Sequence, residues 1–258
     1  MKAIKIICAV LALICVCVTV CACDGYKAPM GKAAYDADNS STRKGTEIKM
    51  SAVKEEIDSM KVEDFVPSSQ QSDYVLIKIK NYGEIVVLLR HDVAPITVEN
   101  FKRLVAEGFY NDTVFHRVIE SFMIQGGGCI VAPEGSKDYF AYKDAGSIKG
   151  EFTSNGVLNN LTHVRGVISM ARVGAASNAT DAEKKAAYNS ASSQFFIVHQ
   201  TNESSRSLNG DYATFGYVLA GMDVVDAIAT CLVLDPNSQA PVPVNDVIVE
   251  SMTFVEPK

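Results

Sequence analysis

The chain is expected to be mainly β, a closed antiparallel barrel, and three observations predict it. Short runs rich in β-branched and aromatic residues recur from Tyr74 to Val255. Two of them flank a glycine-containing turn in the manner of a hairpin. Two helical segments punctuate the series, and many short strands with two helices suit a closed sheet.

Taken in order, residues 74–80 and 84–90 are the hairpin strands around Asn81-Tyr-Gly83. Pro95 opens a helix that Thr97 or a neighbour would cap and Gly108 would end. Strand-like runs follow at 114–119, 167–170, 195–199 and 214–218, then a helix at 222–230 and a last strand at 247–255. Upstream, Met50, Val53, Ile57 and Met60 recur at three- and four-residue spacing, which predicts an amphipathic helix over 47–65, either a spacer or a contact surface. Residues 67–72 are a polar break, and the chain contains no internal repeat.

Composition removes some functions and suggests a location. The net charge of −6, with no basic stripe, argues against nucleic acid as a partner. Five of the seven cysteines fall in the first 23 residues, which leaves only Cys129 and Cys231 downstream, as free thiols or as a pair. Neither belongs to a CxxC motif or to a cluster at metal-ligand spacing. Lys2 and Lys5 precede an apolar run over 6–23, the order of a secretory signal. The run ends in Val20-Cys-Ala-Cys23, which resembles a bacterial lipobox and implies cleavage before Cys23 and lipid on its thiol. An uncleaved membrane-spanning helix is the alternative. Both readings place the domain outside the cytoplasm. The expected organisation is a signal peptide at 1–22, a tether at 23–72 and a folded domain at 73–258, with an inserted loop at 173–193.

The chemistry concentrates in one run, Val114-Phe-His-Arg-Val-Ile-Glu-Ser-Phe-Met-Ile-Gln-Gly-Gly-Gly128. Arg117, Phe122, Met123 and Gln125 supply a planar cation, apolar surface and an amide. That set suits holding a small apolar ring and hydrogen-bonding the backbone beside it. Covalent attack is not suggested, since no nucleophile–base pair is present. The three glycines are not followed by Gly-Lys-Ser/Thr, so a phosphate loop is not indicated either.

This run resembles the cyclophilin family of peptidyl-prolyl cis–trans isomerases. So do residues 94–110, Gly150-Glu-Phe152, His163-Val-Arg-Gly-Val-Ile-Ser-Met-Ala-Arg172, Ser193-Gln-Phe-Phe-Ile-Val198 and Thr214-Phe-Gly-Tyr-Val218, in the family's order. The resemblance implies an eight-stranded barrel capped by a helix at each end, and an enzyme that rotates X-Pro bonds. It implies Arg117 as the catalytic donor and a proline pocket of Phe122, Met123, Phe196 and Leu208. Gln125 and Gln194 match positions that bond the substrate backbone or steer the arginine. The main chain of Ala171 and Arg172 matches an edge that pairs with an extended peptide. Tyr212 stands as an aromatic wall where some members have histidine, and His116 lines or orients the site. His163 and His199 are read as structural.

No cofactor or metal is implied, and the partners are proline-containing segments of exported proteins met by a monomer. Two rival functions are a proline-segment binding module and an extracytoplasmic scaffold acting through the 47–65 helix and the 173–193 loop. The chain departs from the family in having no tryptophan, with Ser207 where many members carry one, so weak cyclosporin inhibition is expected. It also departs in the long 173–193 segment, where 181–188 is expected to form a short helix. That segment is either a determinant of substrate choice or a tolerated surface insertion.

Overall fold

The computed structural model describes residues 48–258. The signal segment, Cys23 and the tether up to residue 47 lie outside the described residues. The expected hairpin forms from β2 (Tyr74–Ile79) and β3 (Gly83–Leu89), joined through Asn81 and Gly83, both at positive φ. Val75, Ile77 and Ile79 are buried while Lys78 between them is exposed, the alternation of a strand with one face in a core. Nine strands form one antiparallel sheet. Besides the hairpin these are β1 (Phe65–Pro67), β4 (Arg117–Ile119), β5 (Met123–Gly126), β8 (Val167–Met170), β9 (Phe195–Val198), β10 (Thr214–Ala220) and β11 (Val249–Pro257). A separate two-stranded ribbon joins β6 (Cys129–Val131) to β7 (Phe140–Tyr142).

The expected closed eight-stranded barrel is not what forms. The sheet is open, in the order β1-β11-β2-β3-β10-β8-β9-β5-β4. Closure would need a ladder between β4 and β11; instead the residues before β4 meet the start of β11 through the isolated bridge Val114 to Ile248 and two single bonds, Asp112 N–H to Val249 O (2.9 Å) and Val249 N–H to Thr113 O (2.8 Å). Residues 239–247 run beside β4 instead, with Val118 N–H donating to Pro241 O at 2.9 Å and Phe115 N–H to Val247 O at 2.9 Å. Pro241 and Pro243 bring no N–H and cannot extend a ladder. At the other end β1 adds to the far side of β11, so β11 is not an edge.

Five α-helices are described: α1 (Met50–Glu56), α2 (Pro95–Ala106), α3 (Asp181–Tyr188), α4 (Glu203–Arg206) and α5 (Met222–Ala229). α2 packs on β10 and β11, and α5 on β3, β4 and β5. Phe101 of α2 meets Tyr110, Phe195 and Phe215 at ring-centroid distances of 5.0–5.7 Å, an aromatic knot in the main core. The start of α2 is capped from a distance. The carboxylate of buried Glu151 accepts from Ile96 N–H (3.1 Å), Thr97 N–H (2.8 Å) and Thr97 Oγ1 (2.8 Å), satisfying amides that a helix start leaves unpaired. Thr97 is thus a donor to the cap rather than the cap.

The helix expected over 47–65 stops at residue 56. Asp58 and Met60 leave it because their amides donate to Val218 and Leu219 carbonyls, each at 3.1 Å. A one-turn 3-10 helix at Val62–Asp64 leads into β1. Among the described residues Cys129 and Cys231 are both free and do not pair, and burial pushes the Cys129 thiol up to about 12. Among the described residues, no helix is long and apolar enough to cross a membrane.

Candidate active site

β4, β5 and β9 each present two faces. Val118, Ile124, Phe195 and Ile197 enter the main core, whereas Met123, Phe196 and Val198 form a second buried cluster. The split follows from the two-residue period of a strand. Ile119, Phe122, Ala171, Leu208 and Tyr212 pack on this second cluster as half-buried neighbours. All four residues expected to line an apolar pocket, with Ala171 and Tyr212, are therefore brought to one place. Ile119 and Val198 join them without having been singled out in the sequence.

Arg117 stands directly across the ladder from Gln125, and Gln125 across from Phe196. Its guanidinium donates through Nη1 to Gln125 Oε1 at 3.1 Å and through Nε to the Gln239 carbonyl at 2.9 Å, with Met123 Sδ at 3.9 Å from Nη1. Gln125 Nε2 in turn donates to Gln194 Oε1 at 2.9 Å. No carboxylate pairs with Arg117 among the described residues. Burial lowers its pKa, with only the Tyr212 hydroxyl opposing, yet a guanidinium stays charged in proteins. Nη2 makes no hydrogen bond among the described residues.

The Phe196 ring is held on two sides. Tyr212 meets it edge-on at 5.9 Å, and His163 stacks on it at 5.9 Å and 12°. His163 is fixed by Asn209 Oδ1 at 2.9 Å from Nδ1 and Ser169 Oγ at 3.0 Å from Nε2. Burial lowers its pKa to about 4, so the stacked ring is neutral at pH 7. Held between Asn209 and Ser169, the His163 ring supports the Phe196 ring.

His116 lies beside the arginine and the glutamine pair rather than in the apolar cluster. Its ring faces Phe140 at 6.2 Å, on the side of Gln194 and Arg117, and its Nδ1 is buried with no hydrogen-bond partner among the described residues. Burial, reinforced by the Arg117 charge, lowers its pKa to about 4. The Arg172 side chain, for which the resemblance implies no peptide-pairing role, packs against aromatic rings. Its guanidinium lies 4.6–5.2 Å from the rings of Phe152, Tyr188 and Tyr212, and it donates to the Asp211 and Val173 carbonyls, each at 2.9 Å. Ala171 N–H is committed to Gln194 O at 2.8 Å. The contribution of Gln239 had no sequence signal, because a main-chain carbonyl in a proline-rich loop carries no side-chain mark.

Residues 74–254 match the family model described as cyclophilin type peptidyl-prolyl cis-trans isomerase/CLD. Peptidyl-prolyl cis-trans isomerase B of Escherichia coli (strain K12) is 40% identical over 181 residues, which span 68% of this chain and 96% of that protein. A peptidyl-prolyl cis-trans isomerase of Acinetobacter baylyi is 42% identical over 151 residues, 58% of this chain and 68% of the relative. The crystal structure of a Cryptosporidium parvum cyclophilin type peptidyl-prolyl cis-trans isomerase aligns with a TM-score of 0.53 at 28% identity, over 72% of this chain and 98% of that one. A second crystal structure of the same protein, in the presence of the dipeptide Ala-Pro, aligns with a TM-score of 0.50.

Proposed function

We propose how this chain, which belongs to the cyclophilin-type peptidyl-prolyl cis–trans isomerase family, carries out its reaction. The enzyme accelerates rotation about X-Pro bonds in proline-containing polypeptides. Amide resonance sets a barrier of about 18–20 kcal/mol, and unaided rotation takes roughly 10–100 s. No bond breaks. The catalyst has to favour the twisted amide, in which resonance is lost and the proline nitrogen becomes basic.

In this reading the proline ring sits on Met123, Phe196 and Leu208, with Phe122 as a side wall and Tyr212 closing the far end. Arg117 Nη2 donates to the twisted amide, at its nitrogen or at the neighbouring carbonyl. The bond strengthens as resonance fades, which is differential transition-state binding by a prepositioned donor. Gln125 and Gln239 hold the other two guanidinium nitrogens, so little reorganisation is needed. Gln194 steadies Gln125. The substrate backbone pairs along the Ala171–Arg172 main chain, where Ala171 N–H is already used. The observation that carries this reading is an acid-free guanidinium, pinned at two nitrogens and open at the third, beside an apolar cluster.

The clients are exported proteins. The enzyme works as a monomer outside the cytoplasm, held to the cell membrane by lipid at Cys23; Lys2, Lys5 and the apolar run ending in Val20-Cys-Ala-Cys23 support this placement. A Cys23→Ser chain that stayed in the membrane fraction would contradict the lipid anchor.

The test of mechanism is isomerisation of a proline peptide by the full-length chain in detergent, wild type beside Arg117→Ala. The expected result is a fall in kcat/KM of about a hundredfold or more, with an unchanged circular dichroism spectrum. A folded mutant of undiminished activity would remove Arg117 from the mechanism.

A further inference from the structure

Phe122 reaches the apolar cluster from a tight turn between β4 and β5. Ser121, just before it, has φ +65, a left-handed conformation that a residue with a side chain adopts when its surroundings hold it. Three groups do so. Ser121 N–H donates to His199 Nδ1 at 3.0 Å, and the Asn202 side chain donates to Ser121 O. The His199 main-chain N–H donates to Phe122 O at 2.9 Å.

His199 is 5% exposed and its far nitrogen, Nε2, lies 3.2 Å from Asp226 Oδ1 on α5. Arg165 grips Asp226 through two bonds of 2.6 and 2.8 Å and also donates to His199 O at 2.9 Å. Because Nδ1 accepts from Ser121, it must present a lone pair, and the ring proton sits on Nε2 facing Asp226. A second proton would have to go on Nδ1, where it would oppose the Ser121 N–H.

We propose that His199 is a positioning residue for proline substrates: its neutral ring holds the Ser121 turn that presents Phe122, and acidification releases that turn and weakens substrate binding. This role rests on Phe122 being a wall of the proline pocket. The charges facing the ring are Asp226 and Glu120, which favour protonation, and Arg165, which opposes it together with burial. Burial is the largest influence, so the ring titrates below the ordinary imidazole value. The Nδ1 lone pair is therefore fully available above a pH of about 6.5 and is lost as pH falls through the lowered value. Burial also lowers the values of His116 and His163, which lie nearer the arginine and the pocket floor, to about 4.

The experiment measures kcat and KM for a proline peptide by exchange NMR from a pH of about 7.5 downward through the His199 ring titration, followed by its own ring resonances, using full-length chain in detergent. For the wild type, KM is expected to rise about tenfold on acidification, as for loss of a buried hydrogen bond, with kcat within about twofold. His199→Asn, whose Oδ1 stands in for the Nδ1 lone pair and does not titrate, is expected to keep KM flat with pH. The Ser121 amide resonance is expected to move with the His199 ring titration. A wild-type KM independent of pH, an unchanged pH profile in His199→Asn, or a Ser121 amide indifferent to His199 would each overturn the role. Phe122→Ala separates the premise: if it leaves KM unchanged, the pocket reading fails and this role with it. If it raises KM while the His199 arms stay flat, only the role of His199 fails.

Discussion

At the residue scale, the arginine's own neighbours make the sharpest predictions. Gln125 holds Arg117 Nη1 at 3.1 Å and is held in turn by Gln194. Gln125→Ala frees the guanidinium to sample other rotamers, and kcat/KM is expected to fall about tenfold, the scale of one lost charge-assisted bond. Steady-state kinetics on the purified mutant check this, and an unchanged rate would mean the Gln239 carbonyl alone suffices. His163 carries a pH prediction. Burial lowers its pKa to about 4, so between there and about 6.5 the unfolded chain binds a proton that the folded one refuses. Its contribution is complete above about 6.5 and is lost as pH falls toward 4, up to about 3 kcal/mol. Urea unfolding of wild type and His163→Gln across that range should show a shallower acid loss in the mutant. Arg117, Phe122, Met123 and Gln125 were legible in the sequence because they fall within nine residues. The supports behind them were not, since Gln239 acts from 122 residues away through a carbonyl, and His163, in a loop, stacks on a ring carried by β9.

At the element scale, legibility follows how local the cause is. The hairpin and the helix at Asp181–Tyr188 were both readable; the sequence puts Asp181 near the start of the latter, and the structure caps it with Thr180 and Glu183, a reciprocal pair that needs nothing distant. The helix expected over 47–65 was cut short by amide bonds to Val218 and Leu219 carbonyls, which no local spacing announces. α4 has four residues and so no period to detect. The 173–193 segment is anchored to the domain. Tyr188 meets Phe152 edge-on at 5.3 Å, Arg172 lies against both rings, and Lys185 donates to Asn155 at 2.9 Å. Tyr188→Ala removes a ring pair and a cation–π contact, together about 2 kcal/mol. A loss of about 4–8 °C in Tm is expected, with faster hydrogen exchange confined to α3. Because Arg172 also touches Tyr212, a change in the preferred residue before proline would show the insertion shaping the groove. Unaltered preference in a folded mutant would leave it a surface element.

At the scale of the whole molecule, the sheet's openness and its N-terminal edge share an origin in what flanks the strands. Prolines at 241 and 243 deny β4 a ladder partner, and the segment before β2 supplies a partner to β11 instead. Residues 48–67 are thereby built into the domain. Val53 and Phe65 are buried, and Ile57 packs so closely that a Cβ on Gly166 would lie 2.6 Å from it. Asp58 Oδ1 accepts from Gly221 N–H and Met222 N–H, each at 3.1 Å, and so caps α5 across 163 residues of chain. Starting the protein at residue 68 removes two core side chains worth about 1.5–3 kcal/mol each and a cap worth about 0.5–2 kcal/mol. The entropy of ordering the segment offsets part of that, so a net loss of about 2–4 kcal/mol is expected against a chain starting at residue 48. Denaturant unfolding of the two chains measures it directly, and Asp58→Ala isolates the cap at about 1 kcal/mol. Equal midpoints would mean that the segment rests on the sheet without holding it, and that the strands from β2 onward carry the stability alone.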